Sequence, residues 1–124
     1  MNTRVSIALS LIAGFGLGAV SIDALHAQAK PPVFVVAEID VTNNAAYMKE
    51  YQPKAVELVK KNGGRLLAAA NPRALEGKAP TRVAVQQWES MEKVNGWYNS
   101  KEYKENRKIG DKYAKFRIYV VEGR

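Results

Sequence analysis

From Val33 to Val41 the chain alternates: Val33, Val35, Ala37, Ile39 and Val41 make one apolar face, and Phe34, Val36, Glu38 and Asp40 make a mixed one. A two-residue period in β-branched residues, bounded by Pro31-Pro32 and Thr42-Asn43-Asn44, predicts a half-buried strand. The period then changes. Met48, Tyr51, Ala55, Leu58 and Val59 recur at helical spacing, which predicts a helix capped by Thr42 or Asn43 and running to about Asn62. Pro53 has no amide hydrogen and should kink this helix near Met48 and Lys49, leaving two shorter segments. Gly63-Gly64 then stops it, because glycine tolerates the left-handed turn at a helix C-terminus.

The remaining elements follow the same reasoning. Arg65 to Ala70 reads as a second strand, less β-prone than the first. Asn71-Pro72 and Gly77 bracket a connection, and Arg82 to Trp88 reads as the third strand. Ser90 caps a short helix carrying Met91, Val94, Trp97 and Tyr98, and Asn99-Ser100 restarts a helix through Tyr103 to Ile109, which Gly110 breaks. Phe116 to Val121 is the last strand. The order β-α-β-β-α-β predicts an α+β, ferredoxin-like fold, an antiparallel sheet with helices on one face.

Alternation also predicts which residues share a face. If the helices cover Val33, Val35, Ala37, Ile39 and Val41, the matching positions are Val83 and Val85 in strand three and Phe116, Ile118 and Val120 in strand four. The opposite face then collects Phe34, Glu38, Ala84, Gln86, Trp88, Arg117 and Tyr119. That set is too aromatic to leave in water, since each buried aromatic is worth on the order of 2 kcal/mol, and too polar for a plain core. A second copy laid over it would enclose a cavity with apolar walls and a few polar groups, the composition of a small-molecule site.

Residues 1–29 have the layout of a secretory signal: Arg4, an apolar run from Val5 to Ile22, and Ala27-Gln28-Ala29 before the expected cut. A retained membrane anchor is the alternative, because roughly 18 apolar residues is the lower limit for spanning a bilayer. Cleavage leaves 30–124 as one periplasmic or secreted domain. It carries the whole formal charge of +7, with lysines scattered over solvent-facing helix positions rather than gathered into a nucleic-acid-binding block. No stable membrane insertion is expected once the leader is gone.

Composition then removes whole classes of chemistry. The chain has no cysteine, and its single histidine, His26, lies in the leader. Thiolate nucleophiles, imidazole bases and zinc sites of the usual kind are therefore excluded from the domain. Oxygen ligands such as Glu38, Asp40 and Asp111 lack calcium-loop spacing, and neither a dinucleotide fingerprint nor a serine-centred nucleophile motif is present, so no cofactor or metal is expected. Glu38 is the candidate catalytic base, its pKa raised if its face is enclosed, with an ion pair to Arg65, Arg82 or Arg117 as the plainer reading. Tyr47 and Tyr51, four apart on one helix side, offer hydroxyls to a ligand or simply core packing. Gly63-Gly64-Arg65 offers amides and a guanidinium to an anion, or is only a helix stop followed by a strand arginine. Trp88, Trp97, Tyr98 and Tyr103 are the pocket-forming set, or else the seam of a dimer.

Six pieces of sequence in order carry a family resemblance: F-V-V-A-E-I-D-V-T from Phe34, Y-M-K-E-Y from Tyr47, N-G-G-R from Asn62, L-E-G from Leu75, W-Y-N-S-K-E-Y from Trp97 and R-I-Y-V-V-E-G from Arg117. Over Phe34 to Gly123 the chain resembles the domain-of-unknown-function 1330 family. It departs from that family at Trp88-Glu89-Ser90, where members tend to have Phe-Pro-Ser, and at Ser100-Lys101-Glu102-Tyr103, where they tend to have Ser-Pro-Glu-Tyr. The resemblance implies a dimeric α+β barrel, in a superfamily that also holds cofactor-independent monooxygenases and lactone isomerases. The expectation is an exported homodimer that binds a small organic molecule in an aromatic-lined cavity, with cofactor-independent monooxygenation or isomerisation as its activity. The alternative is a non-catalytic envelope protein whose aromatic face serves dimerisation or partner binding.

Overall fold

The computed structural model describes residues 30–124, so the predicted signal segment lies outside the described residues. The elements are β1 (Val33–Val41), α1 (Asn44–Ala46), a π-helical turn (Tyr47–Tyr51), α2 (Gln52–Lys61), β2 (Arg65–Ala70), β3 (Arg82–Trp88), α3 (Met91–Tyr98), α4 (Lys101–Gly110) and β4 (Ala114–Glu122). The four strands form one antiparallel sheet in the order β2-β3-β1-β4, the ferredoxin-like arrangement. Among the described residues no helix is long and apolar enough to cross a membrane.

Local chemistry sets the helix ends. Asn43 accepts from the Ala46 amide at 3.1 Å, Ser90 from Lys93 at 3.2 Å and Ser100 from Tyr103 at 3.2 Å, each satisfying a first-turn N–H that has no intrahelical partner. At the end of α2, Gly63 takes φ +97°, its amide donates to Lys60 O at 3.2 Å, and the Gly64 amide donates to Val59 O at 2.8 Å. This pair of bonds is a Schellman motif. Gly64 answers a different need: a Cβ there would stand 2.5 Å from the Trp88 ring and 2.8 Å from Val59.

Around Pro53 the helical run is divided into shorter segments, as the sequence suggests, with a π-helical turn ending two residues before the proline. The Gln52 amide donates to Tyr47 O, five residues back. A proline ring collides with the carbonyl four residues earlier, here Lys49, and cannot bond to it. One extra residue in the turn relieves the collision. The buried Asn106 amide on α4 donates to Tyr51 O at 3.3 Å and secures the altered turn.

The face assignment of β1 and β4 agrees with the sequence, but β3 has the opposite phase. Register pairs Val33 with Trp88, Val35 with Gln86 and Ala37 with Ala84, and residues directly opposite across an antiparallel pair share a face. Ala84, Gln86 and Trp88 therefore point toward the helices, and Val83 and Val85 lie on the open face with Phe34, Val36, Glu38 and Tyr119. Trp88 is 1% exposed, and its indole N–H donates to Gln86 Oε1 at 2.9 Å. Burying the indole with its one donor satisfied outweighs the gain available from two valines in the same place.

The core divides into two clusters. One gathers Val33, Val35, Leu58, Val59, Trp88, Val94, Trp97 and Tyr103, and the other gathers Ala37, Ile39, Tyr47, Tyr51 and Ala114. The space between them is where the sheet and helices do not quite meet.

Candidate functional site

Three alanines make that gap. Ala69 pairs with Ala84 across β2 and β3, and Ala84 pairs with Ala37 across β3 and β1, so a row of methyl groups crosses the helix-facing side of the sheet. Ala55 on α2 faces it. Larger side chains at these positions would fill the interior at normal protein density. Instead a cavity of about 50 Å³ remains, walled by Ile39, Val59, Leu66, Phe116 and Ile118 with the rings of Tyr47, Tyr51, Trp97 and Tyr103. A single water needs roughly 10–15 Å³ on the same measure, so the space exceeds a trapped solvent molecule.

The π-helical turn aims two of these rings. Tyr47 and Tyr51 are both buried, with ring centroids 5.2 Å apart, and Tyr51 also packs on Phe116 at 5.4 Å. Gly110 lets α4 close on Tyr51, since a Cβ there would fall 2.6 Å from the ring. Tyr103 stacks on Trp97 at 4.6 Å, and its hydroxyl accepts from Arg107 at 2.9 Å. The Arg107 guanidinium lies 3.9 Å over the Phe116 ring and pairs with Asp111 at 3.1 Å. Burial pushes the hydroxyl pKa of Tyr47, Tyr51 and Tyr103 upward; the neighbouring guanidinium of Arg82 opposes this at Tyr47, and that of Arg107 at Tyr103. All three phenols are therefore protonated across physiological pH. They are hydrogen-bond donors and not bases.

The other polar groups in the lining are Gln52, Arg82 and Gln86, and among the described residues no carboxylate lines the cavity. Trp97 is 3% exposed, and its indole N–H is buried without a hydrogen-bond partner. Arg107 Nε is likewise buried and unpartnered. Among the described residues no group of three or more acidic, histidine or cysteine side chains is placed to hold a metal ion.

The structure divides the sequence-derived site residues into those that meet and those that do not. Tyr47, Tyr51, Trp97 and Tyr103 converge on the cavity. Trp88 lies beside it, 5.2 Å from the Trp97 ring, and Tyr98 is the exposed outer neighbour of Tyr103 at 5.1 Å. Glu38 and Arg65 are elsewhere. Arg65 is exposed at the start of β2, opposite Gln87 and on the open face, and the Gly63 and Gly64 amides that were to join it are spent on the helix stop. Glu38 also lies on the open face, where Tyr119 donates to it at 2.7 Å and Arg117 at 3.2 Å, while Arg117 also pairs with Asp40 at 3.0 Å. The Tyr119 hydroxyl first and the Arg117 guanidinium second hold the Glu38 carboxyl below its ordinary range. In the single chain the plainer reading is the one seen, a carboxylate ion-paired with Arg117, because its face carries its own donors. Ala84 and Gln86 were expected on a cavity-forming face, but on the open side of the sheet under a second copy, and Arg82 only as a partner for Glu38; the phase of β3 brings all three to the helix-facing side. Ala37, Ala55 and Ala69 were not singled out as cavity-forming.

The fold recurs in solved structures. Methylated RPA0582 from Rhodopseudomonas palustris superposes with a TM-score of 0.64 at 12% identity, over 84% of this chain and 90% of that one. SnoaB, a cofactor-independent oxygenase from Streptomyces nogalater, gives 0.59 at 12% identity, over 76% and 94%. An antibiotic-biosynthesis-monooxygenase-like protein from Caulobacter crescentus gives 0.54 at 16%, over 77% and 92%. At these identities the likeness is one of fold. No curated protein matches the chain. Over residues 32–124 it matches the model of the Domain of unknown function (DUF1330), and it belongs to that family.

Proposed function

We propose that this protein binds a small organic molecule in the cavity between sheet and helices, and does so as an exported homodimer. The observation that carries the reading is the cavity itself: apolar walls, four aromatic rings from three helical segments, and a buried indole N–H with nothing to bond to. An unsatisfied buried donor costs about 1–3 kcal/mol, a cost that a ligand acceptor would remove. The fold shared with SnoaB supports cofactor-independent monooxygenation or isomerisation as the activity. With the phenols protonated, such turnover would draw on the ionisation of the substrate itself, and the phenols would stabilise the oxyanion formed. The second copy would cover Phe34, Val36, Val83, Val85 and Tyr119, and the charge pattern of residues 1–29 supports export.

Native mass spectrometry of the protein from its source is the test. A retained small molecule that is lost when Ala84 is enlarged supports the reading, and a bare dimer with no exchangeable ligand refutes it. The non-catalytic alternative is favoured by one observation, the absence of a base in the lining. It predicts ligand release unchanged after incubation with dioxygen. Sedimentation velocity tests the dimer, and a monomer at micromolar concentration would rule it out.

A further inference from the structure

Donors outweigh acceptors among the polar groups around the cavity, where the side-chain carbonyl of Gln52 and the tyrosine hydroxyls are the acceptors. Trp97 Nε1 can only donate, and it is buried and unpartnered. The Arg82 guanidinium can only donate; it reaches the Tyr47 hydroxyl, and its contact to Ala69 O is stretched to 3.5 Å. Gln86 has its acceptor end occupied by Trp88 at 2.9 Å, which leaves its NH2. Tyr103 already accepts from Arg107 at 2.9 Å, so its own hydroxyl hydrogen is left to give. Against this set stands no carboxylate in the lining. Arg82 and Arg107 both act electrostatically on the Tyr47 hydroxyl at the cavity wall, so the local field is positive as well as donor-rich. A neutral apolar guest would leave these donors unsatisfied, and a cationic guest would meet repulsion with no carboxylate to offset it.

We infer that the cavity selects a small planar organic anion, a carboxylate or enolate, whose oxygens take the Trp97 indole N–H and the Arg82 guanidinium while its carbon skeleton rests on the alanine row. This rests on the reading of the cavity as a ligand site and adds the ligand's charge to it. Selection would come from the asymmetry of donors rather than from shape, because the alanine floor and aliphatic walls accept any flat skeleton of suitable size.

Three molecules of nearly equal shape separate the two readings: benzoate, neutral nitrobenzene, and benzamidine as its cation. Isothermal titration calorimetry on the full chain at neutral pH should give an order of benzoate, then nitrobenzene, then benzamidine. Benzoate should exceed nitrobenzene by about tenfold, the usual worth of a hydrogen bond to a charged group. Trp97→Phe keeps an aromatic ring and removes the donor. It should weaken benzoate by about tenfold and leave nitrobenzene within about twofold, with an unchanged circular dichroism spectrum at the assay temperature showing that the fold is intact. Arg82→Gln should act in the same direction. Equal binding of benzoate and nitrobenzene, or preference for benzamidine, overturns the anion inference and leaves the ligand site standing. Binding of none of the three by the parent protein overturns the ligand site, and this inference with it.

Discussion

Ala84 is the midpoint of the alanine row, flanked by Ala37 on β1 and Ala69 on β2, and its methyl group forms part of the cavity floor. Ala84→Val places two more methyl groups into space that is empty. Two measures of the gain agree. Burying two carbons is worth about 1.6 kcal/mol at about 0.8 kcal/mol each. Filling a cavity of about 50 Å³ at about 24 cal/mol per Å³ is worth about 1.2 kcal/mol. Valine is β-branched and suits a central strand, so little is lost to rotamer strain. The expected result is a gain of about 1 kcal/mol, a rise in Tm of roughly 4–8 °C for a domain of this size by differential scanning calorimetry. The same variant should lose small-molecule binding. A fall in Tm would mean that the space is already filled at Ala84, and the alanine-row account of the cavity would be refuted. A higher Tm with full binding retained would place the ligand elsewhere.

Gly64→Ala should destabilise by about 1–3 kcal/mol in urea titration, because the new carbon would press on the Trp88 ring and Val59; an unchanged midpoint would show that the indole moves aside freely. Glu38 is held below its ordinary 4.5 by Tyr119 and Arg117, so its contribution is present above pH 4.5 and lost as pH falls through the lowered folded value. Glu38→Gln should therefore flatten that part of the acid limb of stability against pH, and superimposable curves for parent and variant would contradict the pairing. The buried phenols have the opposite sign. Raised above the ordinary 10.0, Tyr47, Tyr51 and Tyr103 contribute stability that is present below pH 10 and lost above it. Their ionisation, followed by phenolate absorbance, should coincide with alkaline unfolding, and a smooth titration of the folded protein would count against their burial.

Most of the fold was legible because its signals are local. The alternation of β1, the caps at Asn43, Ser90 and Ser100, and the glycine stop after α2 each depend on residues within one turn of one another. The phase of β3 was not local. Val83 and Val85 look like the inward pair, and only pairing with β1 shows that Trp88 opposite Val33 takes the interior and carries Gln86 and Ala84 in with it. That single slip put Ala84 and Gln86 on the open side of the sheet and left the floor of the cavity under the helices unseen. Glu38 was placed on the correct strand face, but its chemistry depended on Tyr119 and Arg117 arriving from β4, far along the chain. The cavity itself was hard to read for a different reason: it is made by what alanines leave out, and sequence patterns report side chains that are present.

The five residues from Tyr47 to Tyr51 span a widened coil, so the rod from Asn44 to Lys61 contains one residue more than an ordinary spiral of that height needs. Deleting Met48, Lys49 or Glu50 would let the turn close into a regular spiral and leave what precedes and follows it in phase. Tyr47 and Tyr51 would then stand three apart instead of four, still on one side but with their rings aimed differently. The side chains offered to a guest are thus governed by length at this point as much as by residue identity, and a one-codon gap among those three would re-aim the rings without touching a single lining position.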